Sequence, residues 1–242
     1  MRQAAAFLSM TNSKYKNLFF DFDDTLWAFS LNARDAFQEV YRLYGLDRFF
    51  HSFDEFFTIY TQRNDVLWED YGRGSISKEE LNRARFGYPL EEVGVHDPQL
   101  VDDYMKAYFR IIPTRSKLMP HAQEVLQYLS TRYRLYILSN GFRETQYLKI
   151  EHSGLAPYFR RIILSEDIMA NKPRPEIFHF ALSATQSELH ESLMIGDNFN
   201  ADIAGARGVG MDQAYYNHRP YVRLPFRPTY EIFSLRDLMD FL

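Results

Sequence analysis

Four short apolar runs, each ending on a polar residue or glycine and each separated from the next by helical periodicity, constrain this chain more than any other feature. They are Lys16-Asn-Leu-Phe-Phe-Asp21, Tyr133-Arg-Leu-Tyr-Ile-Leu-Ser139, Arg161-Ile-Ile-Leu-Ser165 and Ser192-Leu-Met-Ile-Gly196. Runs of this length that do not alternate with polar residues are strands covered on both faces. Between them Ala122, Val125, Leu126 and Leu129 recur at helical spacing. A second helix is expected from Arg143 to Ser153, closed by Gly154, and a third from Pro175 to Ala184. A short helix over Ala201 to Arg207, stopped by Gly208 and Gly210, a last strand over Met211 to Asn217 and an amphipathic helix over Ser234 to Leu242 complete the pattern. His218 to Pro228 reads as a surface loop. Strands alternating with helices fold as an α/β, doubly wound parallel sheet with right-handed crossovers and helices on both faces.

The alternation is interrupted between the first and second strands. Ala36, Phe37, Val40, Tyr41 and Tyr44 follow helical spacing up to Gly45. Ser52-Phe-Asp-Glu55 and Ser77-Lys-Glu-Glu80 have the form of capping boxes, and Asp97-Pro98 gives an N-cap with proline at the first helical position. No strand pattern intervenes. Residues 28–115 are therefore expected to form an inserted, all-helical cap domain of four helices. Residues 14–27 and 116–242 form the α/β core, and 1–13 a disordered leader.

Composition narrows the class. Lys and Arg number 28 against 32 Asp and Glu, a net charge of −4. Phosphate-backbone binders concentrate positive charge, so a polymeric nucleic acid is not the expected partner. No apolar run approaches the roughly 18 residues of a membrane helix. With neither a membrane span nor a signal-peptide pattern, a cytoplasmic location is expected. The absence of cysteine excludes disulfides and thiolate zinc sites. The seven histidines show no metal spacing and read as structural or exposed.

In an open α/β sheet, ligands bind beyond the carboxyl ends of the strands. The first strand brings Asp21, Asp23, Asp24 and Thr25 to that edge, and the second Ser139, Asn140 and Gly141. The loop after the third carries Lys172 in Asn171-Lys-Pro-Arg-Pro175, and the fourth strand brings Asp197, Asn198 and Asp202. Grouped carboxylates need a compensating cation, and oxygen ligands without His or Cys select Mg²⁺. A hydroxyl, amides at a glycine turn and a lysine hold phosphate. An aspartate beside Mg²⁺ can attack phosphorus. Asp24 reads as a solvated or loop residue, and for Asp202 helix capping weighs as much as metal binding. Trp68 and Tyr71 lie on a helical face suited to packing, and Arg73, Arg83 and Arg85 on a solvated one.

Asp21-Phe-Asp23-Asp-Thr25, Leu138-Ser-Asn-Gly141, Lys172-Pro173 and Gly196-Asp197-Asn-Phe-Asn-Ala-Asp202 resemble, in order, the four signature motifs of the haloacid dehalogenase-like (HAD) superfamily. The resemblance implies a Mg²⁺-dependent phosphomonoester hydrolase working through an aspartyl-phosphate. In it Asp21 is the nucleophile and Asp23 the acid and base. Asp21, Asp23 (through its carbonyl) and Asp197 hold the metal, with Asp202 completing or orienting the site. Ser139, Asn140 and Lys172 take the phosphoryl oxygens, and the helical insertion is a cap. Leu67-Trp68-Glu-Asp-Tyr71, Gly74-Ser-Ile-Ser-Lys78, Arg85-Phe86, Ser139-Asn-Gly-Phe142 and Arg227-Pro-Thr-Tyr230 are similar to the bacterial pyrimidine nucleotidase branch. The expected partner is a small phosphate ester, a nucleoside monophosphate, with Trp68 stacking on its base. The alternatives are a sugar-phosphate phosphatase or mutase, then a 2-haloacid dehalogenase, which lacks an equivalent of Asp23, and a non-catalytic binding protein, which would tend to lose Asp21.

Overall fold

The computed structural model describes residues 14–218 and 224–242. The expected leader and part of the His218–Pro228 loop lie outside them. The chain divides into two compact units. One comprises the chain through Leu26, Met119–Ser139 and the chain from Pro157; the other comprises Trp27–Leu118 and Asn140–Ala156.

The first unit is built on six parallel strands: β1 (Asn17–Phe20), β2 (Arg134–Ser139), β3 (Arg161–Leu164), β4 (Ser192–Gly196), β5 (Asp212–Tyr216) and β6 (Tyr230–Ile232). Their order is β3-β2-β1-β4-β5-β6. Phe19 pairs with Tyr136 on one side and Met194 on the other, so β1 stands where the winding of the sheet reverses. That reversal opens a crevice beyond the carboxyl ends of β1, β2 and β4. Alternate residues Phe19, Tyr136, Leu138, Ile163 and Met194 share one face and pack against Ile177, Phe178 and Ala181 of the helix Pro175–Thr185. Leu18, Phe20, Leu135, Ile137, Leu193 and Ile195, which point the other way, are equally buried. Burial on both faces explains why these strands read as continuous apolar runs.

β6 has no counterpart in the sequence reading. At three residues it is too short to show a period, and Pro228 precedes it. The expected C-terminal helix is a 3₁₀ segment, Leu235–Asp240, capped by Ser234. The expected short helix at Ala201–Arg207 is a π-helical turn, Phe199–Ala204, running into one α-turn, Gly205–Gly208.

The second unit contains α1 (Phe29–Leu43), α2 (Phe53–Arg73), α3 (Lys78–Glu92) and α4 (Pro98–Ile111). An antiparallel bridge between Trp27 and Leu118 closes the insertion. Its core explains the aromatic content. Phe37 lies 4.2 Å from both Tyr60 and Tyr108, and Phe56 and Phe86 surround it. Ser77 forms the full capping box expected of it. At Ser52 only half of the box exists, because the Glu55 carboxylate accepts from the His51 N–H instead. Pro89 interrupts the backbone ladder of α3, and the nearby carbonyl of Phe86 accepts from the Tyr104 hydroxyl.

The helix Arg143–His152 belongs to this unit, whereas the sequence reading leaves it with the α/β core. The reason is its contacts. His152 Nδ1 lies 2.7 Å from the Pro113 carbonyl, the Lys149 ammonium sits 4.7 Å from the Trp27 ring centre, and Phe142 stacks on Trp68. Among the described residues, no helix is long and apolar enough to cross a membrane.

Candidate active site

β1 delivers Asp21 as a strand residue, since its N–H continues the ladder to Ile195 at 2.9 Å. The chain then turns. Asp24 adopts a left-handed conformation (φ 56°), which Asp tolerates better than most residues, and it is buried rather than solvated. The turn brings Thr25 against Asp197, at the end of β4. The Thr25 hydroxyl accepts from the Asp197 N–H at 3.0 Å and donates to Asp197 Oδ1 at 3.1 Å. That reciprocal pair fixes the carboxylate's direction.

Glycine at 196 has a steric cause. A Cβ there would lie 2.2 Å from Asp202 Oδ2, so only glycine lets the fully buried Asp202 rest against β4. Asp202 does not cap its turn. Asn198 does, accepting from the N–H groups of Asn200 and Ala201, while Asp202 Oδ2 accepts from the Asn198 N–H. Capping and site are thereby divided between two residues, and Asp202 Oδ1 is left without an aligned hydrogen bond.

Lys172 is 2% exposed, and its ammonium is the hub of the site. It lies 2.6 Å from Asp21 Oδ1, 2.7 Å from Asp202 Oδ1 and 2.7 Å from the Leu138 carbonyl, the residue before Ser139. Burial alone would favour its neutral form, but Asp202 and Asp21 outweigh burial and hold its pKa above the ordinary lysine value. Burial pushes Asp21 up. Lys172 pulls it down, Asp202 and Asp23 push it up again, and it settles at about 7. Asp202 is raised for the same first reason, with Asp197 adding to it against Lys172. One lysine is too little positive charge for this many buried carboxylates.

The donor set fits a divalent cation. Carboxylate oxygens of Asp21, Asp197 and Asp202 lie within 4.8 Å of one another, with no histidine or thiolate in the group. An all-oxygen set of this kind suits a small hard ion. Asp23 is half-buried two residues beyond Asp21, and Ser139 is buried at the end of β2. Asn140 follows it in the chain and belongs to the helical unit, as does Trp68. The structure thus brings together Asp21, Lys172, Asp197 and Asp202 within one unit. Within the helical unit, Trp68 lies in a ring cluster, 5.1 Å from Phe142 and 5.6 Å from Tyr71.

Two neighbours of the site escape the sequence reading. Thr25 was visible in its motif but had no role. His218, one of the histidines read as structural or exposed, lies with Nε2 3.8 Å from Asp197 Oδ2 and its ring 4.7 Å from Tyr216. Its position two residues beyond β5, at the carboxyl edge of the sheet, was the available signal.

A reversed parallel sheet with acids from β1 and β4 around one buried lysine defines a class of hydrolase. Residues 15–210 match the haloacid dehalogenase-like hydrolase family, and the chain belongs to it. The chain is 32% identical to the HAD-hydrolase YfnB of Bacillus subtilis, over 95% of its own length and 96% of that protein's. It is 30% identical to two pyrimidine 5'-nucleotidases. YjjG of Escherichia coli is matched over 95% of this chain and 98% of its own, and PynA of Streptococcus pneumoniae over 94% and 95%. The crystal structure of Bacillus subtilis YfnB bound to magnesium superposes with a TM-score of 0.84 at 29% identity, covering 93% of this chain and 97% of that one.

Proposed function

We propose that this enzyme is a Mg²⁺-dependent phosphatase of nucleoside monophosphates that prefers pyrimidines and passes through an aspartyl-phosphate. The observation that carries the reading is the buried Lys172, bridging Asp21 and Asp202 beside Asp197. Magnesium bound in YfnB and the nucleotidase activity of YjjG and PynA support the metal and the substrate class.

Asp21, Asp197, Asp202 and the carbonyl of Asp23 are the groups that would hold the ion. When bound, it supplies the positive charge that keeps Asp21 ionised and offsets the charge of the phosphoryl oxygens. A carboxylate oxygen of Asp21 attacks phosphorus and the ester P–O bond breaks, with the Asp23 carboxyl giving its proton to the departing oxygen. Asp23, now a carboxylate, takes a proton from water as that water attacks the phosphoryl group. The P–O bond to Asp21 breaks, leaving inorganic phosphate and the free carboxylate. Lys172, Ser139 and Asn140 bind the phosphoryl oxygens, and Lys172 stays charged throughout because its acidic neighbours hold its proton.

These groups read phosphate and metal alone, so the choice among esters falls to the helical unit. That unit holds a ring cluster of Trp68, Tyr71 and Phe142. A flat base stacked on such rings gains roughly 1–3 kcal/mol. Phosphate release with Mg²⁺ from uridine, cytidine and adenosine monophosphates and from sugar phosphates, assayed side by side, tests the reading. A kcat/KM for the pyrimidine nucleotides about tenfold or more above the sugar phosphates is expected. Equal rates would leave a general phosphatase and remove the nucleotide preference.

A further inference from the structure

β5 ends at Tyr216, and the two residues that follow it lie in the same unit as Asp21, Asp197 and Asp202. Asn217 is anchored through both its backbone and its side chain. Its N–H donates to the Ile232 carbonyl at 2.8 Å and its Nδ2 to Glu231 Oε1 at 2.9 Å, both on β6. That fixes the root of His218, whose ring lies 4.7 Å from Tyr216 and is tilted 37° against it. The imidazole Nε2 stands 3.8 Å from Asp197 Oδ2, too far for a hydrogen bond. This nitrogen is buried and has no hydrogen-bond partner among the described residues. An imidazole kept only to pack on Tyr216 gains nothing from a buried nitrogen that nothing meets, because an unmet polar atom costs stability. The other described end of the β5–β6 connection also leans on the segment after β4. There the Phe226 ring lies 4.6 Å from that of Phe199, two residues beyond Asp197.

Thr25 holds Asp197 from one side, donating to Oδ1, and His218 stands on the side of the other oxygen. We propose that His218 is a positioning residue for Asp197. Its Nε2–H donates to Oδ2 when the carboxylate takes up the ion, so that Thr25 and His218 hold the carboxylate between them. This rests on the Mg²⁺ reading above and adds to it the group that steers one of the ligands. An approach of about 1 Å brings the two atoms within hydrogen-bond distance. The imidazole is not itself a ligand. Carboxylate oxygens of Asp21, Asp197 and Asp202 lie within 4.8 Å of one another, and no nitrogen of His218 belongs to that group. Lys172 does not take the same part, because its ammonium is already met by Asp21, Asp202 and the Leu138 carbonyl. Ion-binding carboxylates are commonly steered by such donors, and losing one typically weakens metal affinity roughly 10–100-fold.

The test needs a readout that a packing role does not move. His218→Phe keeps a ring against Tyr216 and removes the N–H, whereas His218→Gln keeps an N–H near the place of Nε2. Mg²⁺ is titrated calorimetrically into each protein without substrate. Its dissociation constant should rise about tenfold or more in His218→Phe, and His218→Gln should recover most of that loss. In the unaltered protein with Mg²⁺ at about pH 8, where imidazole is neutral, nitrogen NMR should find the His218 proton on Nε2. An unchanged Mg²⁺ affinity in His218→Phe overturns the proposal, and so does a loss in His218→Gln as large as in His218→Phe. If His218→Phe does not fold, the tautomer in the unaltered protein decides, and a proton on Nδ1 overturns the assignment. An unaltered protein that binds no Mg²⁺ removes the metal reading and this inference with it.

Discussion

Asp21 is the residue on which the chemistry and the charge balance of the site meet. Without metal its pKa is about 7, against an ordinary carboxylate near 3.8 in the unfolded chain. The folded protein therefore holds this proton more tightly than the unfolded chain does. Between about pH 4 and pH 7 the raised carboxyl makes the metal-free protein less stable as pH rises. Asp202 acts in the same direction, and Lys172 remains charged across the window. A divalent cation needs the ionised form, so stabilisation by Mg²⁺ should grow over the same window. Thermal melts with and without Mg²⁺ at about pH 5 and about pH 8 should show the larger rise in Tm at the higher pH, by about 2–4 °C for each kcal/mol of differential binding. An equal or larger rise at the lower pH would contradict the charge balance derived for these three residues. At this scale the sequence was legible where a residue stood at a strand end or in the segment that follows it: Asp21, Lys172, Asp197 and Asp202 are in one cluster. It was less legible where burial decided. Neither Asp24 nor Arg85 is solvated, and no periodicity distinguishes a buried arginine facing rings from one facing water.

Among the elements, the segments that hold Lys172 and Asp202 are clamped to each other by Gly205. A Cβ at this position would fall 2.7 Å from the Phe178 ring and 2.9 Å from the Cα of Pro173, which follows Lys172. The α-turn that begins at Gly205 thus touches the backbone of the lysine loop. Gly205→Ala must push that loop or the Phe178 ring aside. It should destabilise the protein by about 1–3 kcal/mol, as overpacking does. It should also weaken inhibition by free phosphate, because Lys172 moves with the loop. Denaturant melts and phosphate inhibition measure the two effects, and a substitution that alters neither would show that the contact relaxes without cost. The strands were legible because their double burial makes them continuous apolar runs, and the helices because caps such as Ser77 and Asp97 mark their starts. The turn at Phe199–Ala204 was not, since the π-helical form depends on how Asn198 and Asp202 divide their hydrogen bonds. β6 was invisible for want of length.

Over the whole molecule, the chain forms two compact units, and the helix Arg143–His152 follows its contacts rather than its place in the chain. The strand–helix rhythm assigned it to the sheet, while the partners that hold it, Trp27, Trp68 and Pro113, lie far off in sequence and leave no local trace. The chain thus passes from Ser139, in the unit with the acids, directly into the unit with the ring cluster. The account as a whole stands on a covalent phosphoryl group at Asp21. The most direct measurement uses Asp23→Asn, which lacks the carboxylate that takes the proton from the attacking water but keeps the nucleophile. With Mg²⁺ and para-nitrophenyl phosphate, whose leaving group departs without an acid, this variant should release a burst of nitrophenolate and then slow. Acid quenching and peptide mass analysis should find a phosphoryl group on the peptide that contains Asp21. Sustained turnover by the variant at the unaltered enzyme's rate, with no phosphoryl group on that peptide, would contradict the mechanism.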